Sequence, residues 1–530
     1  MRLAVILSAA ATLGAVFAGA ASSAGFAAAI PSGRALAQLA GGSEPVLVAV
    51  GPDARATKIL RRAGGTLAIP QLHVWKVPAS AATRVVPALA GRHLLRYAEP
   101  DRRLAAVGHF TDPLTTPDLG WQLYAIGADQ VDSPGAGFPI TILDSGIDLN
   151  HPDFAGRPNL TTLNEQVVGG PDGDDYHGTI VASTAAAARN GVGAEGVYPD
   201  ASLRIYDLGD LSDLTIAQAV LASVNAGPSV INMSFGGFGS RTLNDSILLA
   251  VHSGSLVVAA AGNELDHGNP VEFPAQYPHV FTAGSIGRDG APSSFSSSGP
   301  GVDLAAPGDE IAFQHPTDPN LYGLASGTSF AAPIVSAAAA WVQTARPDLS
   351  IGQVADVLRT SATDIDAPGF DDRTGFGLLD LPAALVAATP PADTPEPNDD
   401  IDEIAAHRLF STAQPAISTP HAANTRFAAT LDLAEDPDDV YRVVLPARKK
   451  LTVVVTPSAN VSLDLWSSAA GSVAGIAGRL ARSNRPGSAG ERVVFVNRNK
   501  KLARTLYVQV RTTERRVTYV LSVRTAAAPR

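Results

Sequence analysis

The chain has 530 residues, is 45% hydrophobic but only 6% aromatic, carries a formal net charge of −11 and contains no cysteine. That length predicts two or three folded units. The lack of cysteine excludes disulfides, thiol catalysis and cysteine-ligated metals, and no nucleic-acid partner is expected.

In chain order, "MRLAVILSAAATLGAVFAGAASSAGFAAA" sets one Arg before an apolar run that ends in small residues. This predicts a secretory signal over residues 1–27, with A-x-A-like cleavage sites between Ala18 and Ala29, and hence a secreted, extracellular protein. A single membrane anchor is the other reading, although the run is at the lower edge for spanning. No later stretch is apolar enough, so the mature chain is expected to lack a transmembrane segment. Residues 44–108 then read as strand, helix, two strands, helix and strand: "EPVLVAV", "DARATKILRRAG", "GTLAIPQLHVWKV", "SAATRVVPALAG" and "RHLLRYAEPD". This order predicts a small α+β module.

From 112 to 388, short apolar runs alternate with helical runs: "PITILDSG", "SLRIYDL", "SVINMSFG", "SLVVAAAGN" and "VFTAGSI". Unbroken apolar strands between helices predict an α/β fold with a parallel sheet covered on both faces. Ligands bind such sheets at the carboxyl ends of the strands, where Asp144, Ser234 and Asn263 fall. Residues 389–400, "TPPADTPEPNDD", form a Pro-rich, acidic linker. Residues 401–530 hold seven β-like runs, "RFAATLDL", "DVYRVVLP", "KLTVVVTP", "VSLDLW", "RVVFVN", "TLYVQV" and "TYVLSV", the pattern of an all-β sandwich or barrel. Tyr441 to Arg530 carries 17 Lys and Arg against three acids, net +14, which leaves −25 on the rest. This segment suits an anionic surface or its own acidic partner domain, and it also reads as a solvated Arg-rich face.

Four polar residues stand where chemistry is possible. Ser329, in "SGTSFAAPIVSAAAAW", opens an Ala-rich helical run, where free backbone N–H groups can face an oxyanion. A Ser there also serves as an N-cap, so its neighbours must decide. His177, in "DDYHGTIVAS", opens another buried helix, and Asp144 ends the apolar strand of "ITILDSGIDLNHPDF". Asn263 ends "LVVAAAGN" and suits either an oxyanion donor or an Asx turn. Taken together the order is Asp, His, Ser. The α/β-hydrolase order with its G-x-S-x-G elbow does not fit, nor does the chymotrypsin order, whereas the subtilisin order on a parallel sheet does.

With "DSGIDLNHPDF", "HGTIVAS" and "GTSFAAP" in sequence, and "VINMSFGG", "AAAGN" and "FPAQYPHVFTAGS" between them, the chain resembles the subtilisin-like serine proteases over Leu119 to Ala388. The resemblance implies a subtilisin-like parallel sheet flanked by helices and a serine endopeptidase acting on proteins and peptides. It implies Ser329 as nucleophile, His177 as base, Asp144 as its orienting acid, and Asn263 with the Ser329 N–H as oxyanion donors. Ser234, Phe235 and Gly236 are then the edge that pairs with substrate, and Ala261 and Gly262 a wall of the specificity pocket. Residues 44–104 resemble the family's inhibitory propeptide, which implies a self-processed zymogen cut between Leu104 and Thr115. Residues 401–530 resemble the bacterial pre-peptidase C-terminal domain.

Catalysis is expected to need no cofactor. Asp153 and Asn190 match positions that hold a structural calcium in many relatives, but two ligands leave the metal unassigned. Phe330 stands where the family usually has Met, which implies a site less sensitive to peroxide, and Ile180 stands where the His motif usually has a second His. Glu272 falls at the floor of the specificity pocket by resemblance, where an acid favours a basic substrate side chain. It also reads as a strand-end Glu facing solvent. A monomer is the family default. Two other readings stand beside the endopeptidase: a dedicated maturation protease or peptide ligase, and a non-catalytic binding protein on the same scaffold.

Overall fold

A computed structural model describes residues 45–100, 112–168, 176–315, 321–391, 396–419 and 424–529. The signal at 1–27, the processing stretch up to residue 111 and the linker centre at 392–395 lie outside the described residues. The chain divides into two compact units, within 9–107 and 108–530.

The first unit follows the predicted order: β1 (Val46–Val50), α1 (Ala54–Arg62), β2 (Thr66–Ile69), β3 (Val74–Val77), α2 (Ala79–Ala90) and β4 (Leu95–Pro100). Asp53 caps α1, accepting from the N–H groups of Arg55 and Ala56. Its four strands form an antiparallel sheet in the order β2-β3-β1-β4. Val46, Val48 and Val50 join Trp75 and Val77 of the sheet and Leu60, Val86 and Leu89 of the helices in one core.

The second unit is built on seven parallel strands: β5 (Ile140–Asp144), β6 (Leu160–Thr162), β7 (Leu203–Asp207), β8 (Val230–Met233), β9 (Leu256–Ala260), β10 (Val280–Ile286) and β11 (Leu304–Pro307). Their order is β11-β10-β9-β8-β5-β7-β6. Both faces are covered, which is why the runs are continuously apolar. Ile140, Ile142 and Val230 face α3 (His177–Ala186) and α6 (Thr328–Ala345). Leu143, Ile231 and Met233 face α4 (Asp213–Asn225) and α5 (Arg241–His252). α6 runs through the centre, buried from Phe330 to Val342. Ala dominates there because a helix at the sheet surface leaves room for little more than a methyl group.

A two-stranded ribbon of β12 (Ile311–Gln314) and β13 (Tyr322–Ala325) follows the parallel sheet. The C-terminal region folds as two four-stranded antiparallel sheets. Their strands are β14 (Asn424–Leu431), β15 (Asp438–Leu445), β16 (Lys449–Pro457), β17 (Val461–Ser467), β18 (Arg479–Ser483), β19 (Glu491–Val496), β20 (Arg504–Thr512) and β21 (Val517–Ala527). The orders are β14-β21-β16-β19 and β15-β20-β17-β18, enclosing a Val- and Leu-rich core. Seven strands match the predicted runs. The eighth, β18, escaped notice because it is an edge strand of sequence RLARS, with no apolar alternation.

Charged residues join the sandwich to the parallel-sheet region. Arg359, on α7 (Ile351–Ser361), meets Asp303 Oδ1 at 2.5 Å and Glu435 Oε2 at 3.1 Å. Burial, with the Asp303 charge adding to it, pushes the Glu435 carboxyl well above its ordinary value. Arg515 packs over the Phe370 ring at 3.7 Å, and Arg516 pairs with Asp356 at 3.7 Å. Part of the basic charge of the C-terminal region therefore faces acids of the sheet region. No helix among the described residues is long and apolar enough to cross a membrane.

Candidate active site

The predicted residues converge at the carboxyl edge of the central strands. Asp144 is the last residue of β5 and is buried. Its Oδ1 accepts from the Ser145 N–H at 2.8 Å and lies 2.8 Å from His177 Nδ1. His177 is the first residue of α3, and the Gly178 N–H donates to Ser145 Oγ at 3.0 Å. Position 178 requires glycine, because a Cβ there would run into the Gly146 carbonyl and sit 3.1 Å from Asp144 Cβ. The bare backbone lets the helix start close enough for the short Asp144–His177 contact. Phe330 is buried with its ring centroid 5.7 Å from that of His177.

Ser329 lies in the first turn of α6, where its N–H is one of the donors without an intrahelical partner. Its hydroxyl donates to the Ser234 carbonyl at 3.1 Å, and the Ser234 hydroxyl donates to the Ser329 carbonyl at 2.7 Å. Pro333 explains the second bond. It has no N–H to give the carbonyl four residues back, which is that of Ser329. Ser234 satisfies the acceptor that proline leaves open.

Asn263 lies three residues past the end of β9. Its Oδ1 accepts from the Thr328 N–H at 2.8 Å and the Thr328 hydroxyl at 3.0 Å. Those two donors fix which end of the amide is oxygen, so Nδ2 is the end left to donate. Gly262 beside it adopts φ +107°, and its N–H donates to Thr328 Oγ1 at 3.1 Å. A cleft of about 530 Å³ is lined by Asp144, His177, Ser234 and Phe235, and a second of about 420 Å³ by Phe235, Gly236 and Phe238.

Two supporting residues were not picked out from the sequence. Asn232, buried within β8, donates from Nδ2 to Ser234 Oγ at 2.9 Å and accepts from Ser336 Oγ at 3.0 Å, tying β8 to α6. Thr328 orients Asn263 as described. The available signal was one amide inside the apolar run "SVINM" and one hydroxyl beside Ser329.

Asp153 and Asn190 come together away from this edge. Asn190 Nδ2 donates to the Pro152 carbonyl at 2.8 Å, and its Oδ1 accepts from the Val192 N–H at 2.9 Å. Asp153 is fully buried, with Ser183 Oγ donating to its Oδ2, while its Oδ1 finds no donor among the described residues. Burial raises the Asp153 carboxyl to about 6. An orphaned buried carboxylate oxygen, next in the chain to the Pro152 carbonyl that Asn190 holds, suits a hard cation.

Residues 135–377 match the sequence pattern of the subtilase family, peptidase S8. The chain is 35% identical to subtilisin E of Bacillus subtilis over 273 residues, 49% of this chain and 70% of that protein. The chain belongs to the subtilase family. The subtilisin of Bacillus pumilus is 34% identical over 273 residues, 49% of this chain and 97% of that protein. The crystal structure of fervidolysin from Fervidobacterium pennivorans aligns at a TM-score of 0.47 and 21% identity, covering 85% of this chain and 69% of that one. As a subtilase the chain is a serine endopeptidase acting on proteins, and it has the family's α/β architecture, with a small α+β region before the sheet and all-β sheets after it.

Proposed function

We propose that this subtilase is secreted as a zymogen and hydrolyses peptide bonds through an acyl-enzyme formed on Ser329. The observation that carries the reading is the 2.8 Å contact between Asp144 Oδ1 and His177 Nδ1, set beside a serine at a helix N-terminus. With Nδ1 bearing the proton, His177 Nε2 acts as the base. The Ser329 hydroxyl turns from the Ser234 carbonyl to His177, loses its proton there and attacks the scissile carbonyl. Asp144 holds the ring and stabilises the imidazolium. Asn263 Nδ2 and the Ser329 N–H receive the oxyanion. His177 then protonates the leaving amine, and water repeats the sequence to release the acid. The backbone of Ser234 to Gly236 holds the substrate chain, and Ala261 and Gly262 line the pocket for its side chain.

The first unit serves in this reading as an inhibitory propeptide removed by the enzyme itself. The test is the intact mass of the secreted protein, wild type beside Ser329→Ala. Loss of the segment before about Thr115 in the wild type, with retention in the variant, is expected. Two full-length products would refute self-processing, and identical trimming would assign the cut to another protease.

Asn263→Ala is expected to lower kcat by about 10²–10³-fold with little change in KM, the loss known for the corresponding donor in subtilisin itself. A rise in KM at constant kcat would remove Asn263 from the oxyanion site. We further propose calcium at Asp153, with Asn190 and its loop supplying oxygen. At free calcium 100-fold above Kd, binding adds about 2.7 kcal/mol of stability. Chelator is thus expected to lower the melting temperature of the wild type but not of Asp153→Asn. Equal melting curves with and without chelator would refute the site.

A further inference from the structure

We propose that Glu272 is a specificity residue of this site, selecting substrates with an Arg or Lys side chain on the acyl side of the cleaved bond; this rests on the proposed function above. Glu272 Oε2 lies 3.3 Å from where a Cβ on Gly236 would stand, and a Cβ on Gly262 would collide with it. The carboxylate thus sits between two bare backbones. One is two residues from Ser234, whose carbonyl holds the Ser329 hydroxyl, and the other is one residue from Asn263. A substrate residue whose carbonyl is held between Ser329 and Asn263 hangs its side chain between these same two segments. Because both are glycine at that level, no side chain from either one screens the carboxylate.

Glu272 is half-buried rather than facing solvent, and its backbone is held from both sides. Phe273 and Gly237 exchange two N–H···O bonds of 2.9 Å, and the Glu272 carbonyl accepts from the Gln276 N–H at 3.2 Å. Residue 272 is therefore pinned beside the cleft. Its carboxyl is raised by burial first and by the nearby Glu264 second, with no cation among the causes. Among the described residues no Lys, Arg or His pairs with it. The Glu272 carboxylate thus has no cationic partner among the described residues, and a guanidinium or ammonium on a long apolar stem supplies one.

The test compares acetyl-Ala-Ala-Pro-X p-nitroanilides with X as Arg, its neutral isostere citrulline, and Leu. The wild type is expected to favour Arg over citrulline by about 10- to 100-fold in kcat/KM, within the coupling measured for close charge pairs. Glu272→Gln is expected to bring that ratio to about one, and Glu272→Asp to keep part of it. A wild-type ratio near one, or a ratio that survives Glu272→Gln, overturns the proposal. If the wild type hydrolyses none of the three, the proposed function fails instead. Anisotropy titration of fluorescein-labelled Arg and citrulline peptides on Ser329→Ala then decides Glu272 separately: tighter binding of Arg supports it and equal binding refutes it.

Discussion

Replacing Ser329 with alanine is expected to lower kcat on peptide substrates by about 10⁶-fold, the loss known for removing the triad serine of subtilisin itself. The size of the effect follows from how the parts depend on one another. Without the hydroxyl, water must attack the scissile carbonyl unaided by a covalent intermediate, and only binding and the oxyanion donors still act, leaving about 10³–10⁴-fold over the reaction in water. The fold should survive, because the lost hydroxyl makes one hydrogen bond, to the Ser234 carbonyl. The check is a full progress curve beside a thermal melt. Residual activity within 100-fold of wild type, in protein that melts normally, would place the nucleophile elsewhere.

Arg359→Ala is expected to be the most damaging substitution away from the reactive centre. It leaves Asp303 and Glu435, both buried, without their shared cation. Breaking a buried pair on one side costs about 3–5 kcal/mol. The high proton affinity that burial gives Glu435 puts the loss toward the lower end, since that carboxyl can turn neutral. Arg359→Lys should recover only part, because an ammonium cannot spread two-pronged contacts over both acids. Guanidinium unfolding followed by tryptophan fluorescence reads the shift. An unchanged first midpoint would mean that this cluster does not hold the two regions together.

The parallel sheet was legible because burial on both faces writes its strands as unbroken apolar runs, and β5, β7, β8, β9 and β10 all lie where those runs stand. The edge strand β18 was not legible, since RLARS offers the core little beyond Ala481. Asp144, His177 and Ser329 were each ambiguous alone and became readable only in order. The bonds that assemble them span distances no local pattern records: 33 residues between Asp144 and His177, and 95 between Ser234 and Ser329. Asn232 offered no signal beyond one amide inside an apolar run. Glu272 had two open readings, and its place against Gly236 and Gly262 depends on a Gly237–Phe273 bridge whose register the sequence does not fix.

The crossed bonds between Ser234 and Ser329 couple grip to reaction. The carbonyl that steadies the idle hydroxyl belongs to the segment proposed to grasp the peptide, and the hydroxyl of that segment restrains the backbone of the reacting residue. The grasping edge and the attacking residue are thereby tied by two direct bonds. Longer peptides, which load that edge more fully, should gain in turnover as well as in affinity. The proline that opened the Ser329 carbonyl, costly in most helix interiors, is what makes this clutch possible.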